Sequence, residues 1–207
     1  MEQKRLCYIS RNYYNLTSAG NKAKTDNEDT LAEMGAINLG LPRTIRNSKI
    51  LAFFLDLIGI LRACILLQKD DILFLQYPVK KYFSFLCHVA HLKGARTVSL
   101  IHDLGSFRRK KLTIQKEINR LSNSDYIIAS NEKMKGWLKE HGLQKSVGAL
   151  GLFDYRSASR CSEEVTEREQ VKVVYAGALS MKKNSFLIEL SKTLSHWQLL
   201  VCGNKEG

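Results

Sequence analysis

Proline is scarce in this chain, two in 207 residues, and glycine stops at 13. So few breakers exclude a fibrous or linker-rich protein and leave room for long regular elements. The five cysteines, Cys7, Cys64, Cys87, Cys161 and Cys202, are odd in number, scattered, and form no CxxC pair. They argue against a disulfide framework or a zinc site and read as reduced thiols, three of them inside apolar runs. The start, Met-Glu-Gln-Lys-Arg, has no signal-peptide pattern, so a cytoplasmic location is expected. One run is long enough to span a bilayer, Ile50 to Gln68, but it carries Asp56 and Arg62. Charges in hydrocarbon are costly, so the run is expected to be a helix buried between a sheet and neighbouring helices. A helix resting on a membrane surface is the alternative.

What is present is ordinary for a globular chain: 44% hydrophobic and 25% charged residues. Charge is the exception, with 32 Lys and Arg against 20 Asp and Glu, a surplus of 12. Residues 1–160 hold 26 basic and 14 acidic residues and so carry the whole surplus, whereas residues 161–207 are neutral. A surplus of this size favours an anionic partner such as nucleic acid, phospholipid or a phosphorylated substrate. The break coincides with the polar stretch Cys161 to Gln170. The expected organisation is a basic domain over 1–160, a linker over 161–170 and a second, shorter unit over 171–207.

Along the chain, β-rich runs alternate with helical patterns. Strands are expected at Arg5–Ser10, Ala36–Leu39, Asp71–Tyr77, Arg96–His102, Tyr126–Ala129, Val147–Leu150, Val171–Ala176 and Gln198–Cys202. Helices are expected up to Met34, then over Ser48–Gln68, Val79–Lys93, Ile114–Leu121, Glu132–His141 and Asn184–Leu194. Gly94 and Gly142 stand where helices end, and Ser48 or Asn47 where one begins. The alternation implies an α/β fold: a Rossmann-like, mostly parallel sheet with helices on both faces, followed by the start of a second such domain. Sheets of this kind gather ligands beyond the carboxyl ends of their strands.

Three such places hold suggestive residues. After the first strand, Asn15 to Lys24 combines small residues, a helix start and two lysines, features that let backbone N–H groups approach an anion. Where the strand Arg96–His102 gives out, His102 and Asp103 stand where a catalytic base or a sugar-hydroxyl ligand would stand. Arg108, Arg109, Lys110 and Lys111 follow, either as a solvated face or as a dock for phosphate or anionic lipid. After Ala176, Gly177 with Lys182 and Lys183 could grip a diphosphate.

Five segments in this order resemble one family: Ser18–Lys24 (SAGNKAK), Ser99–Arg108 (SLIHDLGSFR), Asp125–Leu138 (DYIIASNEKMKGWL), Gly151–Tyr155 (GLFDY) and Tyr175–Leu187 (YAGALSMKKNSFL). Together they are similar to the bacterial galactofuranosyltransferase and glucosyltransferase group of GT-B architecture. The resemblance implies two Rossmann-like domains facing a cleft. The acceptor would lie on the N-terminal domain and most of the nucleotide sugar on the C-terminal one. It implies transfer of a hexose, galactofuranose among the candidates, from a UDP-sugar to a glycan or lipid-linked acceptor in cell-surface polysaccharide synthesis. On it, Thr17, Ser18, Gly20 and Asn21 approach the donor diphosphate from one side, and Gly177, Lys182 and Lys183 from the other. His102 and Asp103 become the catalytic candidates. Arg108 to Lys111 would dock the acceptor or the inner membrane surface, making the protein peripheral. No metal or cofactor is expected, since the family does without a DxD motif and none occurs here. A homo-oligomer is compatible with this reading. The chain stops at Gly207, before the nucleobase pocket of the family, so a fragment or truncated product is expected.

Two other function classes stay open from the residues alone. A nucleic-acid-binding module would use the same charge with Tyr8, Tyr13, Tyr14 and Phe107, but no binding signature accompanies them, and nucleic acid is not the expected partner. A non-catalytic interaction subunit would make the early stop natural.

Overall fold

Short apolar runs separated by helices long enough to cross back leave parallel pairing as the economical arrangement of the strands. The computed structural model describes residues 4–10, 12–13, 19–45, 48–79, 82–108, 112–151, 156, 172–176, 185–193 and 198–202. They divide into two units, Met1–Arg156 and Ser157–Gly207. The segment 161–170, expected as a linker, lies outside the described residues.

In the first unit, β1 (Leu6–Tyr8), β3 (Ile37–Asn38), β5 (Ile72–Tyr77), β6 (Arg96–Ile101), β7 (Tyr126–Ala129) and β8 (Ser146–Ala149) form a six-stranded sheet. The order is β3-β1-β5-β6-β7-β8 and every neighbouring pair is parallel. The helices are α1 (Ala19–Glu33), α2 (Lys49–Leu66), α3 (Phe83–Leu92), α4 (Gly105–Arg108), α5 (Ile114–Leu121) and α6 (Glu132–Glu140). A two-residue ribbon pairs β2 (Asn12–Tyr13) with β4 (Thr44–Ile45). The fold is therefore α/β and Rossmann-like. The chain leaves β1 for β3 on one side, returns through α2 to β5 on the other, and then steps outward to β8. Such a reversal opens a crevice at the carboxyl ends of β1 and β5.

Local chemistry explains the element ends. Ser48 caps α2 by accepting from the Leu51 amide, Thr113 caps α5 from Lys116, and Asn131 caps α6 from Met134. Gly94 and Gly142 leave α3 and α6 with φ of 72° and 94°, a conformation that disfavours a Cβ. Gly40 has a different reason: a Cβ there would lie 2.9 Å from the Ser10 carbonyl oxygen.

The core lies between sheet and helices, around Cys7, Leu73, Leu75, Tyr77, Phe83, Ile101, Leu121 and Ile127. Burial pushes the Cys7 thiol up to about 11 and the Cys87 thiol up to about 12, which suits unreactive buried thiols. At the opposite edge from the crevice, buried Asp71 accepts two bonds from Arg5, at 2.8 and 2.6 Å, and one from the Gln68 amide at 2.8 Å. Burial works against that charge. The Arg5 bonds and the Gln68 amide outweigh it and hold the carboxyl below its ordinary value.

The long helix departs from expectation. α2 buries one side only, through Gly59, Ile60, Ala63 and, just past its end, Leu67. The opposite side presents Ile50, Phe54, Ile58, Leu61 and Ile65 to solvent, spaced three and four residues apart on one face. Among the described residues no helix is long and apolar enough to cross a membrane.

The second unit pairs β9 (Lys172–Ala176) with β10 (Gln198–Cys202) in parallel, connected through α7 (Phe186–Thr193). Tyr175 meets Phe186 edge-on at 6.0 Å. None of its described residues is buried, consistent with two strands being too few to enclose a core.

The two faces of α2 should respond differently to truncation. Ile60→Ala, at a site 2% exposed, is expected to lower stability by about 2–4 kcal/mol. Ile65→Ala, at a site 76% exposed, should stay within about 0.5 kcal/mol. Urea denaturation of both variants checks this.

Candidate functional site

The crevice is built from α1, β5 and the turn after β6. α1 turns polar residues inward: Thr25, Asp26 and Glu28 are buried. At the end of β1, the Ser10 hydroxyl donates to Glu28 Oε2 at 2.6 Å. Arg43 lies 4.0 Å from that carboxylate and bonds Asp29 at 2.9 Å. Asp26 accepts from Lys22 and from the Arg156 backbone amide, and the Arg156 carbonyl accepts from Lys22 at 2.9 Å. Gly20 and Asn21 sit in the first turn of α1, whose N-terminus carries partial positive charge.

Gln76 links this helix to His102. Its Nε2 donates to the Lys24 carbonyl at 3.0 Å, which fixes the amide so that Oε1 is the acceptor. That oxygen accepts from Asn27 Nδ2 at 3.2 Å and faces His102 Nε2 at 2.8 Å. Asn27 Nδ2 also lies 3.4 Å from this nitrogen, but the much shorter contact with the Gln76 oxygen decides, so Nε2 carries the hydrogen and Nδ1 the lone pair. Burial, reinforced by the nearby charge of Lys24, lowers the His102 pKa from 6.5 to about 4. A neutral imidazole held in one tautomer serves better as a hydrogen-bonding partner for a hydroxyl than as a strong base at neutral pH.

The next residues are held from below. Glu117, on the inner side of α5, is fully buried. Its Oε1 accepts from the Tyr77 hydroxyl and the Gly105 amide, each at 2.8 Å. Its Oε2 accepts from the Ser106 amide at 2.8 Å and the Ser106 hydroxyl at 2.5 Å. Four donors compensate a charge that would otherwise be costly in the interior. Burial and the adjacent Glu117 charge raise the Tyr77 pKa, so its hydroxyl stays protonated and donating. The stretch after β6, for which the sequence suggests no helix, thus contains the short helix α4. Asp103 sits in the turn between His102 and this clamp.

Beyond Asp103 a cleft of about 580 Å³ opens. It is lined by Asp103, Leu104 and Phe107 from the turn and α4, and by Asn131, Lys133, Met134 and Trp137 from the start and body of α6. Phe107 and Trp137 meet edge-to-face at 5.4 Å, and Trp137 stacks on His141 at 4.2 Å.

Of the residues singled out from sequence, His102, Asp103, Gly20 and Asn21 all lie on the carboxyl edge of the sheet. The His102–Gln76–Asn27 contacts join the turn after β6 to α1. Arg108 ends α4. Thr17, Ser18, Gly177, Lys182, Lys183, Arg109, Lys110 and Lys111 lie outside the described residues. Among the described residues, no three of His, Cys, Asp and Glu converge as a metal site would require. Sequence reading passed over Gln76, Asn27, Glu117 and Trp137. Glu117 left a signal, a carboxylate beside Ile118 on the apolar face of α5, and so did Gln76, a lone amide in an apolar strand.

Two consequences can be measured. Glu117→Ala leaves Tyr77 and two amides without their acceptor, so stability should fall by about 3 kcal/mol; urea denaturation reads the loss, and hydrogen exchange at Gly105 and Ser106 should quicken. His102 makes stability depend on pH with a definite sign. The unfolded chain takes up the proton near 6.5 and the native chain only near 4, so stability falls as pH drops through that window, by at most about 3 kcal/mol. The lowered carboxyls Asp71 and Asp125 lose their contributions below 3.8. His102→Asn should therefore flatten the melting-temperature profile between 6.5 and 4, which differential scanning calorimetry would record.

Comparison with known proteins agrees with this architecture. Residues 6–152 match the family described as Glucosyltransferase 3-like, N-terminal domain. The chain is also similar to the β-1,6-galactofuranosyltransferase WbbI of Escherichia coli (strain K12), 30% identical over 122 residues. That match takes in 58% of this chain and 36% of the relative, so the chain spans about a third of the length of the curated protein it matches. With its six-stranded parallel sheet and a family match over residues 6–152, the chain belongs to the Glucosyltransferase 3-like family of glycosyltransferases.

Proposed function

We propose that the chain supplies the acceptor side of a GT-B hexosyltransferase. In this reading a hexose passes from a UDP-sugar to a glycan or lipid-linked acceptor in the making of a cell-surface polysaccharide, and galactofuranose is the first donor sugar to test. The observation that carries the proposal is the neutral, tautomer-fixed His102 at the carboxyl edge of the sheet, next to Asp103, within a glycosyltransferase family. The similarity to a galactofuranosyltransferase supports the choice of donor sugar.

The chemistry divides among named groups. His102 Nδ1 accepts a hydrogen bond from a neighbouring hydroxyl of the acceptor and so orients the reacting one toward Asp103. Asp103 takes the proton as that oxygen bonds to the sugar's anomeric carbon and the bond from that carbon to the UDP oxygen breaks. We assign stabilisation of the charge gathering on the leaving diphosphate to Thr17, Ser18, Gly20 and Asn21 and to Gly177, Lys182 and Lys183, on the family resemblance of the segments that hold them. No metal takes part in this reading, and activity should survive EDTA. Arg108 to Lys111 hold the protein on the anionic inner surface of the membrane.

Donor binding is tested by thermal shift across a panel of UDP-sugars, on a protein whose donor-side domain is complete. A true donor at a hundred times its Kd should add about 2.7 kcal/mol of stability, and replacing Lys182 and Lys183 together with Ala should abolish most of the shift. No response to any UDP-sugar would overturn the proposal. Once a donor is known, Asp103→Asn should lower kcat by about 10²–10⁴-fold while leaving donor affinity unchanged.

A further inference from the structure

Sequence spacing and exposure together single out α2. Along its solvent side Leu51, Phe54, Ile58, Leu61 and Ile65 follow one another at intervals of three, four, three and four residues, the alternation of a coiled-coil seam. Ile50 and Leu66 widen the seam, and these seven side chains are between 39% and 76% exposed. They leave on the order of 700 Å² of apolar surface on one helix, above the roughly 300–600 Å² of the largest patch on an ordinary monomer. The helix does not need this side to join its own unit, because Ile60, Ala63 and Leu67 already seat it on the core.

We infer that this face pairs with the same face of a second copy of the chain, the two α2 helices lying antiparallel across a two-fold axis. Spacing, symmetry, area and charge select that occupant. A strict three-four alternation presents knobs to another helix, whereas a lipid surface asks only for apolarity. The row is self-complementary, since it gives the same alternation when reversed. An axis passing between Ile58 and Leu61 sets Phe54 against Ile65 of the second copy and Ile58 against Leu61 of the second copy. Apolar meets apolar in four successive layers, as an isologous interface requires. Two such faces bury about 1,400 Å² between them, inside the ~1,200–2,000 Å² of stable interfaces. Helices that lie on membranes carry Lys and Arg on their polar side. Arg62, beside the seam, instead donates to the Leu39 carbonyl at 3.1 Å and to the Gly40 carbonyl, so its charge is held against its own unit and not offered to headgroups.

Sedimentation equilibrium reads the association directly, with a reductant present to remove any disulfide through the exposed Cys202. The wild-type chain should reach twice its 23.6 kDa as concentration rises, and its melting temperature should rise with concentration as well. Ile58→Glu and Leu61→Lys replace exposed side chains, so each should leave the circular dichroism spectrum unchanged while weakening dimerisation at least a hundredfold. Mixed in equal amounts, the two variants should recover a dimer, because the antiparallel register brings the carboxylate of one against the ammonium of the other. A wild-type chain that stays at 23.6 kDa at every concentration overturns the inference. So does a dimer that survives both substitutions, or a mixture that stays monomeric. Vesicles of phosphatidylcholine and phosphatidylglycerol decide the lipid alternative. A monomer that cosediments with them, and loses that binding in both variants, assigns the face to the membrane and overturns the pairing.

Discussion

A single buried carboxylate sets the position of the turn that carries His102 and Asp103 at the carboxyl edge of the sheet. Glu117 reaches out of α5 and receives hydrogen bonds from the end of β5, through Tyr77, and from the turn after β6, through Gly105 and Ser106. Three separate elements are thereby tied at one point. Because the group is charged and fully enclosed, its satisfaction depends on all four donors at once, and the turn has no cheap alternative position. His102, Asp103 and the aromatic cleft inherit their geometry from that arrangement.

The sheet order supplies the second constraint. Reversal of the chain at β1 and β5 puts the N-terminal half of α1 over the crevice, and α1 buries polar Thr25, Asp26 and Glu28 beside apolar Ala23 and Leu31. Lys24, Asn27 and Gln76 then decide the state of His102: one carbonyl turns the amide, the amide chooses the tautomer, and burial removes the proton. A helix with buried Asp26 and Glu28 is a poor way to build a core and a good way to build a polar wall. α2 shows the reverse, an apolar face left largely exposed.

Much of this was readable from the residues. The bounds of α5, β7 and β10 coincide with expectation, because Thr113 caps α5, and Tyr126–Ala129 and Gln198–Cys202 are short β-rich runs between turn signals. His102 and Asp103 were legible as the residues at a strand's carboxyl end, a place where function concentrates whatever the family. Other features were not. The β2–β4 ribbon has two residues per strand, too few for a period. α4 exists through its clamp on Glu117, a tertiary contact 11 and 12 residues away. α2 is apolar nearly all round, so its sequence carries no indication of which side faces the sheet, and burial on both sides was the natural expectation. Gln76 and Asn27 declare themselves only when β5 and α1 are brought together.

The central claim is that a neutral His102, protonated on Nε2 and facing the ligand edge, marks the reaction corner. Long-range ¹H–¹⁵N spectra of the histidine rings test it most directly. The account predicts an Nε2–H neutral ring from pH 8 down to about 5, with an Nδ1 resonance that moves when the acceptor sugar is added. A His102 ring that protonates near 6.5, or one whose two nitrogens are indifferent to acceptor, would contradict it.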